Sequence, residues 1–385
     1  MLLASCAKTP HNLQNPQNAI VNIASTPALA HALKVKENSQ KSSLSYQIVK
    51  SLTVEVGPRI AGSQGDKRAV AWAEAKFNEL GFDKVYKQAV RVRNWERGFA
   101  DAKVVSPFPQ TLVISALGGS IATPEKGLEA KVVMFDSLDS LAGAEKAKVE
   151  GNIVFLNTRM ERDRAGSFYG QVVPNRVSGA VEAAKQGAKA VIIRSVGTDN
   201  SRFAHTGALD DGAGVGIVMA AAKLVKEAVG QPKRTIRVVL YAAEEIGLVG
   251  AYQYVRTNQD TLENIIFAAE SDFGAGQIYQ LDTRFAEAVR NDPADLYSAL
   301  KMMGVELGNN TTNGGPDVSM LPNYGVTVIA LKQDGTYYFD YHHTPNDTLD
   351  KIKPEDIQQN QTVWAMITAY MAMSDFYPRP AANTK

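Results

Sequence analysis

The chain has 385 residues, 45% of them hydrophobic and 21% charged, with 41 basic and 40 acidic side chains for a net charge of +1. That length fits two domains, or one large domain with an insertion, and the composition supports a real apolar core. Balanced charge without a basic run excludes a nucleic-acid-binding class, and nothing after the N-terminal region reaches the ~18 to 20 apolar residues that a membrane-spanning helix needs.

The single cysteine, Cys6, rules out an internal disulfide. It ends Leu3-Ala4-Ser5-Cys6, which resembles a bacterial lipobox, where the cysteine is lipidated and becomes the mature N-terminus. The basic part and most of the apolar part of an export signal are absent. The resemblance implies a periplasmic protein, or one anchored to the outer membrane through lipidated Cys6; the alternative is a plain tail. Residues 7–40 are rich in Asn, Gln, Pro and Ser and read as tail or linker, so 1–40 forms an N-terminal segment.

Residues 43–56 place Leu44, Ile48, Val49, Leu52 and Val56 near helical spacing, and Gly57-Pro58 ends the run. A second helix is predicted from Gln64 to Leu80, stopped by Gly81. KVYKQAVRVRNW (84–95) then alternates as a strand does. From about residue 100 come short β-like runs, TLVISAL, EAKVVMF, GNIVFLN and AKAVIIRSV, with one helix, VSGAVEAAKQG. KVEGNIVFLN followed by GAVEAAKQGAKAVIIRSVG resembles a protease-associated domain, which makes 101–205 a β-rich insertion of that kind.

From residue 209 helices and buried strands alternate. RTIRVVLYAA (234–243) is nearly continuously apolar, as a strand covered on both faces should be. A long helix closes the chain at PEDIQQNQTVWAMITAYMAMSDF. The expected fold class is α/β, a mostly parallel mixed sheet flanked by helices. Residues 41–100 and 206–380 would build it around the insertion, with the chain shortened near 206–209.

Functional groups in such sheets collect beyond the carboxyl ends of strands. Glu244-Glu245 follows VVLYAA; two adjacent carboxylates there call for a neutralising cation or partner, or else cap the next helix. Glu270 and Asp272 follow NIIF. YFDYHHTPNDTLDKI carries His342, His343 and Asp347, and can also be read as a polar surface turn. GALDDGAGV carries Asp210-Asp211 at the start of a helix. Oxygen ligands with one or two imidazoles suit Zn²⁺ or a similar divalent ion.

Together GALDDGAGV, AAEEIGLVGA, ESDFG and HHTPNDTLDKI resemble the metal motifs of the co-catalytic zinc peptidases of the bacterial leucyl aminopeptidase and glutamate carboxypeptidase type. The resemblance spans most of 43–378. It implies two zinc ions per chain and a zinc-exopeptidase-like fold acting on peptides or dipeptides. It implies that Asp210 bridges two metals, often with a cis peptide bond after it, and that Glu245 binds the first metal. Asp272 and His343 would bind the second. Asp347 would orient a ligand histidine, and Glu244 would be the general base. Tyr337 or Tyr338 would line the substrate pocket. Nothing in the sequence sets the oligomeric state or the side-chain preference.

One part of that pattern is missing. The family has an H-x-D segment whose histidine binds the first metal, and this chain has only His11, His31, His205, His342 and His343. His205, five residues before Asp210, is the one remaining substitute. It has no strand of its own, and residue 207 is glycine, so it reads as a loop histidine meeting solvent. An internal deletion that removed sheet strands together with the histidine accounts for the gap. Three readings follow. The first is a metal-dependent aminopeptidase or dipeptidase. The second is an impaired or inactive binding protein on the same scaffold. The third is a single-zinc relative of the glutaminyl cyclases using Asp210, Glu245 and His343.

Overall fold

The computed structural model describes residues 26–93, 95–204 and 207–378. Cys6 and His205 lie outside the described residues. Helix α1 (Pro27–Ser39) starts where Thr26 accepts the Leu29 N–H and Pro27 presets the first turn. Its inner face is Ala28, Leu29, Ala32 and Val35. The helix occupies the second half of the stretch expected to be irregular, because half of its apolar stripe is alanine and gives little periodic signal. Helix α2 (Leu44–Ser51) widens into a π-type turn over Leu52–Val56 and stops at Gly57, where φ is 72°. Helix α3 (Gln64–Glu79) is capped by Ser63, whose hydroxyl accepts the Asp66 N–H.

Next come β1 (Ala102–Val104), β2 (Gln110–Leu112), β3 (Val132–Phe135), α4 (Leu138–Ala142), α5 (Lys146–Val149), β4 (Ile153–Leu156), α6 (Tyr169–Lys185) and β5 (Ala190–Ile193). Strands β1 and β2 form an antiparallel pair, and β3-β4-β5 form a parallel sheet. That sheet has its own small core of Val133, Phe135, Leu141, Val149, Val154, Leu156 and Ala183.

The remaining elements are α7 (Gly212–Val229), α8 (Val249–Asn258), β6 (Phe267–Glu270), β7 (Ile278–Thr283), α9 (Ala294–Lys301), β8 (Glu306–Leu307), β9 (Thr327–Gln333), α10 (Tyr338–Tyr341) and α11 (Pro354–Met373). The sheet order is β6-β9-β7-β8, with β9 parallel to β6 and antiparallel to β7. This is the expected mixed α/β architecture. The main core joins α1, α7 and α11 to β7 and β9.

Helices α2 and α7 touch closely through Gly216, where a Cβ would stand 2.5 Å from Val49 Cγ2 and 2.6 Å from the Ser45 carbonyl. Helix α11 is stitched to α1 and α2 by buried polar groups: Ser45 N donates to Gln361 Oε1 at 2.8 Å, and the Ser39 and Thr362 hydroxyls meet at 2.9 Å. Gly216→Leu overpacks the first of these contacts. We expect it to cost about 2 to 3 kcal/mol, read as a lower denaturation midpoint.

Two expected strands differ from the reading of their sequence. Residues 84–93 and 235–241 form neither helix nor strand, and among the described residues they make no backbone–backbone hydrogen bond. Side chains of the second segment nonetheless alternate between two core clusters. Val238 and Leu240 pack beside Ile48 and Met219 on one face, and Val239 and Tyr241 beside Val255, Leu262 and Val328 on the other. Residues 236 and 238–241 are half-buried, and 235 and 237 are exposed. Strand β6 ends its sheet. A cleft of about 350 Å³ runs along this edge, lined by 239–246, 269–272 and one face of α3.

Candidate active site

The mouth of α7 is built on a tightly held turn. Gly207 adopts φ 78°, and the Asp210-Asp211 peptide is cis, as the resemblance leads one to expect. Asp211 caps α7, its Oδ1 accepting the Gly214 N–H at 2.9 Å. Asp347, buried, accepts the Leu209 N–H at 2.5 Å and the Asp210 N–H at 3.2 Å. It therefore positions the backbone that carries Asp210, a role in the chain itself beside the one the resemblance implies. Arg59 donates to the Gly207 carbonyl at 2.5 Å. Burial lowers the Arg59 pKa, and Asp211, Asp347 and Asp210 around it support its charge.

Against this turn stand two adjacent histidines. Nε2 of His343 lies 2.9 Å from Asp210 Oδ2, and Nε2 of His342 lies 3.5 Å from the same oxygen. Donor atoms of Asp210, His342 and His343 all lie within 4.8 Å of one another. His343 adopts φ 57°, an uncommon conformation for a residue with a Cβ. Its Nε2 also meets Glu245 Oε1 at 2.6 Å, and Arg176 of α6 donates to Nδ1 at 2.9 Å. With Nδ1 accepting, Nε2 carries the proton that Glu245 receives. A ligand histidine usually shows its outer nitrogen to a carboxylate or carbonyl; here a guanidinium shared with the Tyr169 hydroxyl takes that place.

Glu244 and Glu245 follow segment 235–241 through Ala243, at φ 61°. Gly250 lets α8 pass close, since a Cβ there would stand 2.4 Å from the Ala242 carbonyl. Glu244 faces the cleft. Burial first, and then Glu245, Asp210 and Glu270, push its carboxyl up to about 7. Asp272 is raised well above the carboxylate range by burial and by Asp211 and Asp210. Glu270 is pushed to about 7 by burial, although it accepts the Val318 N–H. Asp317, 6% exposed, is pushed to about 8 by burial and by Glu270 and Glu244.

Among the described residues, eight carboxylates and one cation, Arg59, line the cleft. The imidazole and carboxylate donors at its end suit a divalent ion of the zinc type. Such an excess of buried negative charge also sets the pH dependence of the metal-free chain. Unfolded carboxyls titrate near 4 to 4.5. The folded Glu244 and Glu270 titrate near 7, Asp317 near 8 and Asp347 near 6. Between those limits the folded state holds protons that the unfolded state has lost, so raising pH destabilises the fold. We expect the metal-free melting temperature to fall by about 5 to 10 °C between pH 5 and 8, with much of the loss restored by zinc. A melting temperature that is flat or rising over this range would contradict these assignments.

The structure brings Asp210, Glu245, His343 and Asp347 together and sets Glu244 and Asp272 on the cleft wall. Tyr338 is buried against Phe273 and Phe339, and Tyr337 is exposed beside Arg162; neither lines the cleft. Reading the sequence missed Arg59, Arg176, Asp317 and the place of His342 beside Asp210. Only the His342-His343 doublet offered a signal, and the motif assigned a role to the second histidine alone.

A helix mouth with a buried Asp–His–His group, beside a Glu-Glu pair on an acidic cleft, defines a metal-dependent hydrolase of the α/β exopeptidase class. The profile of peptidase family M28 matches residues 182–368. The crystal structure of a peptidase M28 precursor from Shewanella amazonensis SB2B is 43% identical, with a TM-score of 0.89, covering 93% of this chain and 99% of that one. The chain belongs to peptidase family M28.

Human carboxypeptidase Q is 27% identical over 418 residues, covering 87% of each chain. Since 87% of 385 residues is about 335, about 83 of those 418 aligned positions fall where this chain has no residue. A zinc aminopeptidase from Bacillus subtilis shares the fold at 18% identity and a TM-score of 0.59, covering 88% of this chain and 97% of that one.

Proposed function

We propose that this chain is a metal-dependent exopeptidase that removes the amino-terminal residue of peptides or splits dipeptides, with Glu244 as general base. The observation that carries the reading is Glu244 on the cleft wall, one residue from Glu245, which touches His343 beside Asp210. A divalent ion held on the Asp–His group would acidify water toward neutral pH and polarise the scissile carbonyl.

The chain's own residues do the rest. Glu244 takes a proton from the attacking water and returns it to the leaving amine. Its pKa of about 7 suits that exchange near neutral pH. Asp347 and Arg59 hold the Leu209–Asp210 backbone, and thereby the Asp210 carboxylate, in place. The acidic lining favours a free α-ammonium group over a free carboxylate in the substrate.

The test is a comparison of Ala-Ala, its N-acetyl derivative and its C-terminal amide. Cleavage of the free dipeptide and the amide, but not of the acetylated form, is expected. Cleavage of the acetylated dipeptide but not of the amide would make the enzyme a carboxypeptidase.

A second reading, an impaired binding protein on the same scaffold, draws support from the unpaired backbone at 84–93 and 235–241 and from the aligned positions with no residue here. An internal deletion that took the H-x-D histidine with its strands is our reading of both. It predicts binding of unblocked dipeptides without turnover. Export with a lipid anchor on Cys6, and a protease-associated role for 101–205, remain proposals from the sequence. Loss of radiolabelled lipid on Cys6→Ala would support the anchor.

A further inference from the structure

We propose that the β1–β2 hairpin is a membrane-contact finger, whose tip inserts Val105 and Phe108 into the surface of an anionic lipid bilayer. Among the described residues β1 and β2 pair only with each other. A lone two-stranded hairpin is marginal in water, and this one is tied at its base. Trp95 Nε1 donates to the Ser120 carbonyl at 3.2 Å, and Arg97 Nε donates to the Ala116 carbonyl at 2.8 Å. Burial alternates along both arms. Residues 100, 102, 104, 112 and 114 are half-buried, and 99, 101, 103, 111 and 113 are exposed. That is the pleat of a ribbon with one face covered. At the far end the alternation stops and every residue of 105–111 is exposed. Phe108 is 82% exposed and Val105 47%.

Three observations favour lipid over a protein partner. The first is size. A stable protein interface takes about 20 to 30 residues a side, and the exposed tip has seven. Transfer of a side chain into lipid has no such threshold, because it scales with the apolar area of that side chain. The second is the pair of prolines. Pro107 and Pro109 have no N–H, so the turn takes fewer unpaired donors into a medium that cannot satisfy them. Proline beside an open strand also blunts pairing with a second chain.

The third is the order of charges. Arg91, Arg93, Arg97 and Lys103 stand against Glu96 and Asp101 along the outgoing arm, and residues 102–113 carry Lys103 and no acid. At roughly 3.3 Å per residue, Lys103 lies roughly 7 Å from Val105 along the strand and Asp101 roughly 13 Å. Interfacial elements sink about 5 to 10 Å into the boundary between headgroups and chains. At that depth Val105, Pro107 and Phe108 are immersed and Lys103 meets lipid phosphates. Asp101 stays in water.

The test uses the full chain carrying Cys6→Ala, so that no acyl group does the binding, with vesicles of phosphatidylcholine and phosphatidylglycerol. The chain should sediment with the vesicles, and less so as salt rises. Adding Val105→Asp and Phe108→Asp together should lower the partition coefficient at least about tenfold. Both side chains are exposed, so the melting temperature should hold. Phe108→Trp should keep the binding, and its added emission should be quenched by brominated acyl chains. Dipeptide hydrolysis should be the same in every variant, because the tip lies outside the cleft. A chain that stays in the supernatant, binding undiminished by the two aspartates, or Trp emission untouched by bromine would each overturn the finger. Self-association without vesicle binding, abolished by the two aspartates, would assign the tip to a second copy instead. The quenching needs no disruptive change, so a misfolded aspartate variant leaves the proposal open to refutation.

Discussion

Glu244→Gln is expected to lower dipeptide hydrolysis by about 10²- to 10⁴-fold, the range that positioned acid–base groups supply, while zinc content stays unchanged. Glutamine keeps the volume and hydrogen-bonding reach of the side chain but cannot take up a proton. Glu244 does not touch the Asp–His group; Glu245 does, through His343. The neighbouring change Glu245→Gln therefore serves as the contrast, since it disturbs His343 and the metal affinity along with the rate. In the unaltered enzyme the rate should rise with pH and level off at or below about 7, because the base must be unprotonated and a bound cation lowers its pKa from the metal-free value. Glu244→Gln with undiminished turnover would remove it from the mechanism.

Amide hydrogen exchange should divide two apolar segments sharply. Strand β9 lies between β6 and β7, is buried along most of its length and has both edges paired. Segment 235–241 is just as apolar, and Val238, Val239, Leu240 and Tyr241 are half-buried against two core clusters, yet its amides have no backbone partner among the described residues. Protection follows hydrogen bonding and the free energy of opening. We expect the amides of 328–332 to exchange at least about a thousandfold more slowly than those of 236–241. Equal protection would mean that the second segment finds a partner strand, in this chain or in a second copy. An unpaired apolar edge of this kind is also an association hazard, so the same sample should be checked for self-association as concentration rises.

Much of the fold is legible from short-range pattern. Helix α3 announces itself by its Gly81 stop, and α7 by the long small-and-apolar run after Asp211. Helix α1 is hidden because Ala28 and Ala32 supply half of its buried stripe. Strand β7 is missed because QIYQLDT alternates weakly and two of its buried residues, Asp282 and Thr283, are polar. Segments 84–95 and 234–243 have the composition of strands, but a strand also needs a neighbour, and no local pattern reveals whether one exists.

The site divides in the same way. Asp210, Glu244, Glu245, Asp272, His343 and Asp347 stand in short runs whose spacing carries the chemistry. Arg59 and Arg176 act across 148 and 167 residues of chain, on Gly207 and His343, and their runs contain nothing but an ordinary arginine. His342 converges with its neighbour only through the backbone twist at His343, which the sequence does not encode in any residue type, since glycine is the usual marker of positive φ.

The most direct test of the account is dipeptide hydrolysis by the purified full chain before chelation, after chelation, and after zinc is returned. The account predicts release of the amino-terminal residue that disappears with the metal and comes back with it. Hydrolysis that persists unchanged in the stripped protein, or no hydrolysis by the zinc-loaded protein, would contradict it.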